Sequence, residues 1–78
     1  MLKKEIRLII TFRDTVMAIR MEKAMKEAGL PGRLIPLPSA ISAGCGLCFM
    51  APLDAREALE QEMKRQDITW ELITELML

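Results

Sequence analysis

The chain has 78 residues, 51% of them apolar, and its 11 basic and 11 acidic residues give a formal net charge of zero. A chain of this length forms one small domain with a thin margin of stability, so we expect a single domain over residues 1–78. The lack of a basic surplus argues against a nucleic-acid partner and is compatible with self-association into a homodimer. There is no histidine, which removes the commonest general base and the commonest metal ligand.

The N-terminal region does not predict export or membrane insertion. Its apolar run is interrupted by Arg7 and lacks a small-residue cleavage site. No stretch approaches the ~20 apolar residues of a membrane helix. We therefore expect a cytoplasmic protein without a membrane partner, in a compartment that keeps thiols reduced.

The first third of the chain predicts a strand followed by a helix. Apolar residues alternate from Glu5 to Phe12 in a nearly continuous run, which is typical of a central strand. Residues Asp14 to Ala28 predict an amphipathic helix with Asp14 or Thr15 as its N-cap and Gly29 just after its end. The predicted buried stripe of this helix consists of Met17, Ala18, Met21, Ala24, Met25 and Ala28.

Two short strands follow. The first runs from Arg33 to about Leu37, and its Pro36, together with Pro38 just beyond, places it at a sheet edge because proline cannot donate to a ladder. The next strand runs from Gly46 to about Ala51.

The last third predicts a second helix and a final strand. The helix runs from Asp54 to about Gln66, and the spacing of Asp54 and Glu57 predicts a capping box at its start. The final strand is expected from Ile68 to about Glu75. Its predicted apolar face consists of Ile68, Trp70 and Leu72.

The order β-α-β-β-α-β in so short a chain predicts an α+β protein with the ferredoxin-like fold. Both helices are expected on one face of a four-stranded antiparallel sheet with the spatial order 4-1-3-2. In this topology the loop after the second strand shares one end of the sheet with Arg13, Asp14 and the start of the first helix. From this topology we expect a thiol in that loop, such as Cys45, to be biased toward the thiolate if it lies near the helix N-terminus or Arg13.

Cys45 and Cys48 form a C-x-x-C motif that admits several interpretations. If the motif is extended, the two residues lie roughly 10 Å apart and face opposite sides of the strand, whereas a disulfide requires Cα atoms within about 7 Å. A redox pair therefore requires a turn, which the glycines on either side of Cys45 permit. A metal site is disfavoured, because two thiols without histidine do not complete a tetrahedral set, which leaves only a two-coordinate copper(I)-type site or a site shared across a dimer. In a third interpretation Cys45 is a single working thiol and Cys48 packs in the strand, and in a fourth both are structural.

The segment "RLIPLPSAISAGCG" resembles the selenium/sulfur carrier-like family of small bacterial proteins, and the similarity extends over nearly the whole chain. The residues that carry the resemblance are Arg33, Ile35, Pro36, Pro38, Ile41, Ser42, Cys45 and Gly46. The resemblance implies a carrier that holds a persulfide or perselenide on Cys45, rather than an enzyme with turnover of its own. It also implies a cysteine- or selenocysteine-lyase-type donor and an acceptor protein as partners, with no cofactor and no metal.

Within this interpretation the other site residues surround Cys45. Gly44 and Gly46 give the carrier loop its flexibility, and Cys48 is a candidate resolving thiol. The candidates for stabilising the carried anion are Arg13, Arg33, Ser39 and Ser42. The alternative function is a small regulatory or ligand-binding module of the same fold, for which Cys45 is dispensable.

Overall fold

The computed structural model of the protein describes residues 4–41 and 44–78. Its elements, in chain order, are β1 (Ile6–Thr11), α1 (Thr15–Glu27), β2 (Arg33–Pro36), β3 (Leu47–Ala51), a 3₁₀ turn (Leu53–Ala55), α2 (Arg56–Arg65) and β4 (Leu72–Met77).

The four strands form one antiparallel sheet in the order β2-β3-β1-β4. This is the predicted order 4-1-3-2 counted from the other edge, so the α+β, ferredoxin-like prediction is confirmed. As expected, the proline-bearing β2 is an edge strand and the apolar β1 is internal. Within the two described ranges, no helix is long and apolar enough to cross a membrane.

α1 begins and ends as its sequence predicts. The Asp14 carboxylate accepts a hydrogen bond of 2.8 Å from the backbone N–H of Met17, so Asp14 is the N-cap. Gly29 follows the helix with φ of +72°, a conformation that favours glycine. The buried residues are Ala18, Met21, Ala24 and Met25, and Met17 is half-buried. Ala28 was wrongly assigned to this stripe: it is the exposed C-cap, beyond the last turn that packs on the sheet.

The start of the second helix differs from the prediction. A 3₁₀ turn precedes α2, and Ala55 occupies the N-cap position without a side-chain capping bond. The predicted Asp54–Glu57 capping box is therefore wrong. Asp54 lies inside the 3₁₀ turn, where the backbone N–H of Ala55 bonds to the carbonyl of Pro52 at 3.1 Å. Leu59 and Met63 form the buried side of the helix.

β4 begins later than predicted. The N–H of Ile68 bonds to the Met63 carbonyl at 2.9 Å, so Ile68 closes the end of α2 instead of opening a strand. Asp67, with φ of +56°, turns the chain there. The predicted face of Ile68, Trp70 and Leu72 is wrong as a strand face, because Leu72 is 42% exposed and Ile73 packs against the core instead.

The main core lies between the two helices and one face of the sheet. On the sheet side it includes Leu8, Ile10, Phe12, Phe49 and Ala51. The opposite face of the sheet also carries side chains with no exposed surface, namely Ile9, Thr11 and Cys48. The sheet therefore excludes water from both sides at its centre.

Candidate thiol site

Cys45 lies in a tight turn formed by Gly44, Cys45 and Gly46, which we call the thiol turn. Gly44 and Gly46 both have positive φ values, +63° and +88°, which glycine adopts without strain. The C-x-x-C motif is therefore only half extended, since β3 begins at Leu47 and includes Cys48 but not Cys45.

Two backbone hydrogen bonds hold the thiol turn at the end of the sheet. The N–H of Cys45 donates to the carbonyl of Phe12 at 3.1 Å, and the N–H of Leu37 donates to the carbonyl of Gly46 at 2.9 Å. The turn thus bridges the residue after β1 and the residue after β2. The turn therefore lies at the end of the sheet that the topology predicts, where Phe12 leads into the connection between β1 and α1.

Gly44 lets the turn approach β1 closely. A Cβ atom at this position would overlap the carbonyl oxygen of Phe12, and it would lie 3.2 Å from Oε1 of Glu71. By contrast, a Cβ atom on Gly46 would have no neighbouring atom within 4 Å. The two glycines therefore have different roles. Gly44 allows both a positive φ and a close contact with the Phe12 carbonyl, whereas Gly46 allows only a positive φ.

The two cysteines occupy different environments. Cys45 is half-buried at the margin of the main core, and its Sγ lies 3.7 Å from the carbonyl oxygen of Leu47. Cys48 has no exposed surface and lies between Thr11 of β1 and Ile35 of β2. Both are free thiols. No group of three metal-ligating side chains occurs in the part of the chain that the structure describes.

Burial also changes the acidity of Cys48. Loss of solvation raises the pKa of this thiol from 9.0 to about 11, and the charge on Cys45 acts in the same direction. Cys48 therefore carries its proton throughout the physiological pH range. A buried, protonated thiol is a poor nucleophile, because the thiolate is the reactive form.

The other predicted site residues differ in how directly the backbone hydrogen bonds link them to the thiol turn. Arg13 is exposed and directly follows Phe12, whose carbonyl binds the thiol turn. Ser39 is exposed in a turn closed by a 3.0 Å bond from the N–H of Ile41 to the carbonyl of Pro38.

Arg33 lies away from this end of the sheet. It pairs with Met50, three residues beyond the first residue of β3, or about 10 Å along the strand. Ser42 lies outside the described residues.

Two neighbours of the site were missed by sequence reasoning. Thr11 is fully buried opposite Cys48, and its hydroxyl has no hydrogen-bond partner among the described residues. The N–H of Glu71 donates to the Thr11 carbonyl at 2.8 Å, which brings Glu71 beside Gly44. No local sequence signal marks these residues, because both positions follow from the register between β1 and its neighbours.

These features define a small α+β protein of ferredoxin-like fold with a half-buried thiol in a glycine turn at the end of its sheet. A family model described as "Putative Se/S carrier protein-like" matches residues 7–75, and the chain belongs to this family. No curated protein and no solved structure gave a significant match. The resemblance stated from the sequence is thereby confirmed at the level of the family.

Proposed function

We propose that the protein carries sulfur or selenium as a persulfide or perselenide on Cys45 and transfers it between partner proteins. The observation that carries this proposal is the contrast between the two thiols. Cys45 is half-buried in a turn between two glycines at the end of the sheet, whereas Cys48 is sealed inside it. Membership of the family supports the same function.

The loading step is a thiol exchange. The Cys45 thiolate attacks the outer sulfur of a donor persulfide, and a new S–S bond forms on Cys45. The S–S bond of the donor breaks, and the donor leaves as a thiolate. The outer sulfur keeps its proton, so atoms and electrons balance without an added oxidant or reductant. Selenium follows the same course, and delivery to an acceptor thiol repeats the step with the roles exchanged.

This chemistry requires a donor and an acceptor protein rather than a cofactor. A cysteine- or selenocysteine-lyase-type enzyme fits the donor, since such an enzyme generates a persulfide or perselenide. A terminal position on the sheet suits Cys45 for docking into both partners, because the thiol turn projects no side chain other than that of Cys45. The cytoplasm is the compartment that we propose, since free thiols persist there.

The remaining site residues have graded support. For Arg13 the support is its exposure and its position one residue after Phe12, whose carbonyl binds the thiol turn. For Ser39 the support is its place in the same connection between β2 and β3. Arg33 has less support, since it pairs with Met50, about 10 Å along β3 from the end that carries the thiol turn. The role of Ser42 stays a prediction from sequence. Cys48 can resolve a persulfide only after β3 opens.

The test is loading by a purified donor. The protein is incubated with a selenocysteine or cysteine lyase and its substrate, and its intact mass is measured without reductant. We expect a gain of one sulfur or selenium atom in the wild type and in Cys48→Ala, and no gain in Cys45→Ser. The comparison uses Cys48→Ala because alanine removes the second thiol of the chain without burying a new polar group at this fully buried position.

Two results would contradict the proposal. If neither cysteine acquires an adduct, the protein is not a carrier, and the binding-module function becomes the better account. If the adduct remains in Cys45→Ser and disappears in Cys48→Ala, the assignment of the working thiol is wrong.

A further inference from the structure

The two edges of the sheet are protected very differently. The β2 edge spans only Arg33–Pro36, ends in a proline, and is followed by Pro38. The β4 edge spans the six residues Leu72–Met77 and contains neither proline nor a basic residue. Prolines, charged side chains (lysine above all) and bulges discourage an exposed edge strand from pairing with another strand. With Glu75 as its single charged residue, β4 is the less protected edge.

The hydrogen-bonding pattern shows which backbone groups of β4 are free to pair. Glu5 and Leu78 exchange two backbone bonds of 2.9 Å each, N–H to carbonyl in both directions. Inward and outward groups alternate along an antiparallel strand. With the observed register, Leu72, Thr74 and Leu76 bond inward to β1. The N–H and C=O groups that point outward therefore belong to Ile73, Glu75 and Met77.

A second copy of this chain satisfies these outward groups. We propose that two copies pair antiparallel through β4 to form one continuous eight-stranded sheet, with the two-fold axis at Thr74. The outward N–H and C=O groups of one copy can bond only to the outward groups of the other. Odd-numbered residues of one β4 must therefore lie opposite odd-numbered residues of the other. This condition also keeps the helices of both copies on the same face of the joint sheet.

Charge selects the register among the arrangements that remain. A two-fold axis at Thr74 and one at Glu75 pair the same number of β4 residues between the copies, and any other axis that this condition permits pairs fewer. An axis at Glu75 places the two Glu75 carboxylates directly opposite each other, which is destabilising. An axis at Thr74 pairs Glu75 with Ile73 of the second copy and offsets the two carboxylates.

The same register covers exposed apolar surface. Leu72, which is 42% exposed, faces Leu76 of the second copy, and the two Thr74 side chains meet on the axis. The pairs of Ile73 with Glu75 supply about four backbone hydrogen bonds between the copies. The zero net charge of the chain adds no long-range repulsion to this association.

Disulfide trapping tests the register directly. In a Cys45→Ser/Cys48→Ala background, Thr74→Cys places two thiols on the axis, where Cα atoms of a non-hydrogen-bonded pair lie about 4.5 Å apart. We expect rapid oxidation to a cross-linked dimer on a non-reducing gel. Leu72→Cys is the control, because its two copies would lie about 13 Å apart along the strands and would not cross-link.

A backbone substitution tests the association itself. Glu75→Pro removes an N–H that points away from β1, so the fold of the monomer is preserved. We expect the dimer dissociation constant from analytical ultracentrifugation to rise about tenfold or more, with an unchanged circular dichroism spectrum. Glu75→Gln keeps the N–H and should dimerise at least as well as the wild type.

Three results would overturn the proposal: a wild-type protein that stays monomeric at high micromolar concentration, equal cross-linking of Thr74→Cys and Leu72→Cys, or full dimerisation of Glu75→Pro. None of them bears on sulfur loading of Cys45, which is measured separately.

Discussion

Replacing Gly44 with alanine gives the sharpest test of how the thiol turn is held. The new methyl group would overlap the Phe12 carbonyl oxygen, and the residue would have to keep φ at +63°. Gly46→Ala is the matched control, since Gly46 also has a positive φ but a Cβ atom there would meet open space. The difference between the two variants isolates the close contact from the backbone strain.

The expected magnitudes follow from these two contributions. At Gly46, alanine in the left-handed region costs about 1–2 kcal/mol. At Gly44 the same strain applies, and the turn must also move away from β1. That movement breaks the 3.1 Å bond from the N–H of Cys45 to Phe12 and adds about 1–3 kcal/mol. We therefore expect Gly44→Ala to destabilise the protein more, with Tm lower by about 4–8 °C for each kcal/mol of difference.

Urea denaturation and thiol labelling measure the two consequences. In a Cys48→Ala background only Cys45 can react, and its alkylation rate reports how tightly the turn is held. We expect this rate to rise in Gly44→Ala and to change little in Gly46→Ala. Equal stability losses in the two variants, together with equal labelling rates, would show that the contact between Gly44 and Phe12 does not hold the turn.

Three further predictions concern residues around the site. Burial raises the pKa of Cys48 from 9.0 to about 11 in the folded protein, so the folded state holds this proton more tightly than the unfolded state. Ionisation of Cys48 should therefore leave the urea midpoint unchanged below pH 9 and lower it between about pH 9 and 11. Cys48→Ala should abolish this decrease. Thr11→Val replaces a buried hydroxyl that lacks a partner among the described residues, and it should raise the free energy of unfolding by about 1–2 kcal/mol; a loss of stability would mean that the hydroxyl is bonded. Asp14→Ala removes the acceptor of the 2.8 Å bond from Met17 and should lower the free energy of unfolding by about 1 kcal/mol, whereas Asp14→Asn, which also caps helices well, should retain most of it.

The elements that were predicted well are those whose local signals agree. β1 is a continuous apolar run, α1 has a side-chain cap at Asp14 and a terminating Gly29, and the prolines after Ile35 identify an edge. The order of these elements was enough to derive the sheet topology. The position of Cys48 within a strand, together with the usual burial of free cysteines, likewise predicted that this residue would be packed, and it is fully buried.

The errors arose where tertiary contacts outweigh local pattern. Ile68 has the alternation of a strand, but its N–H closes the end of α2, so β4 starts at Leu72. The spacing of Asp54 and Glu57 matches a capping box, yet a 3₁₀ turn takes its place. The proximity of Glu71 to the thiol turn depends on the register of β4 against β1, which no short segment of the sequence encodes.

Because Cys48 is fully buried, the rate at which its thiol can be labelled reports how often the sheet opens. Its strand, β3, lies between β1 and β2, so its thiol becomes accessible only when the centre of the sheet opens. Cys45 lies in a turn that two backbone hydrogen bonds hold, so its accessibility reflects local opening alone. Labelling the two thiols of one molecule therefore measures two different motions: the local movement that exposes Cys45, and the opening of the sheet that exposes Cys48.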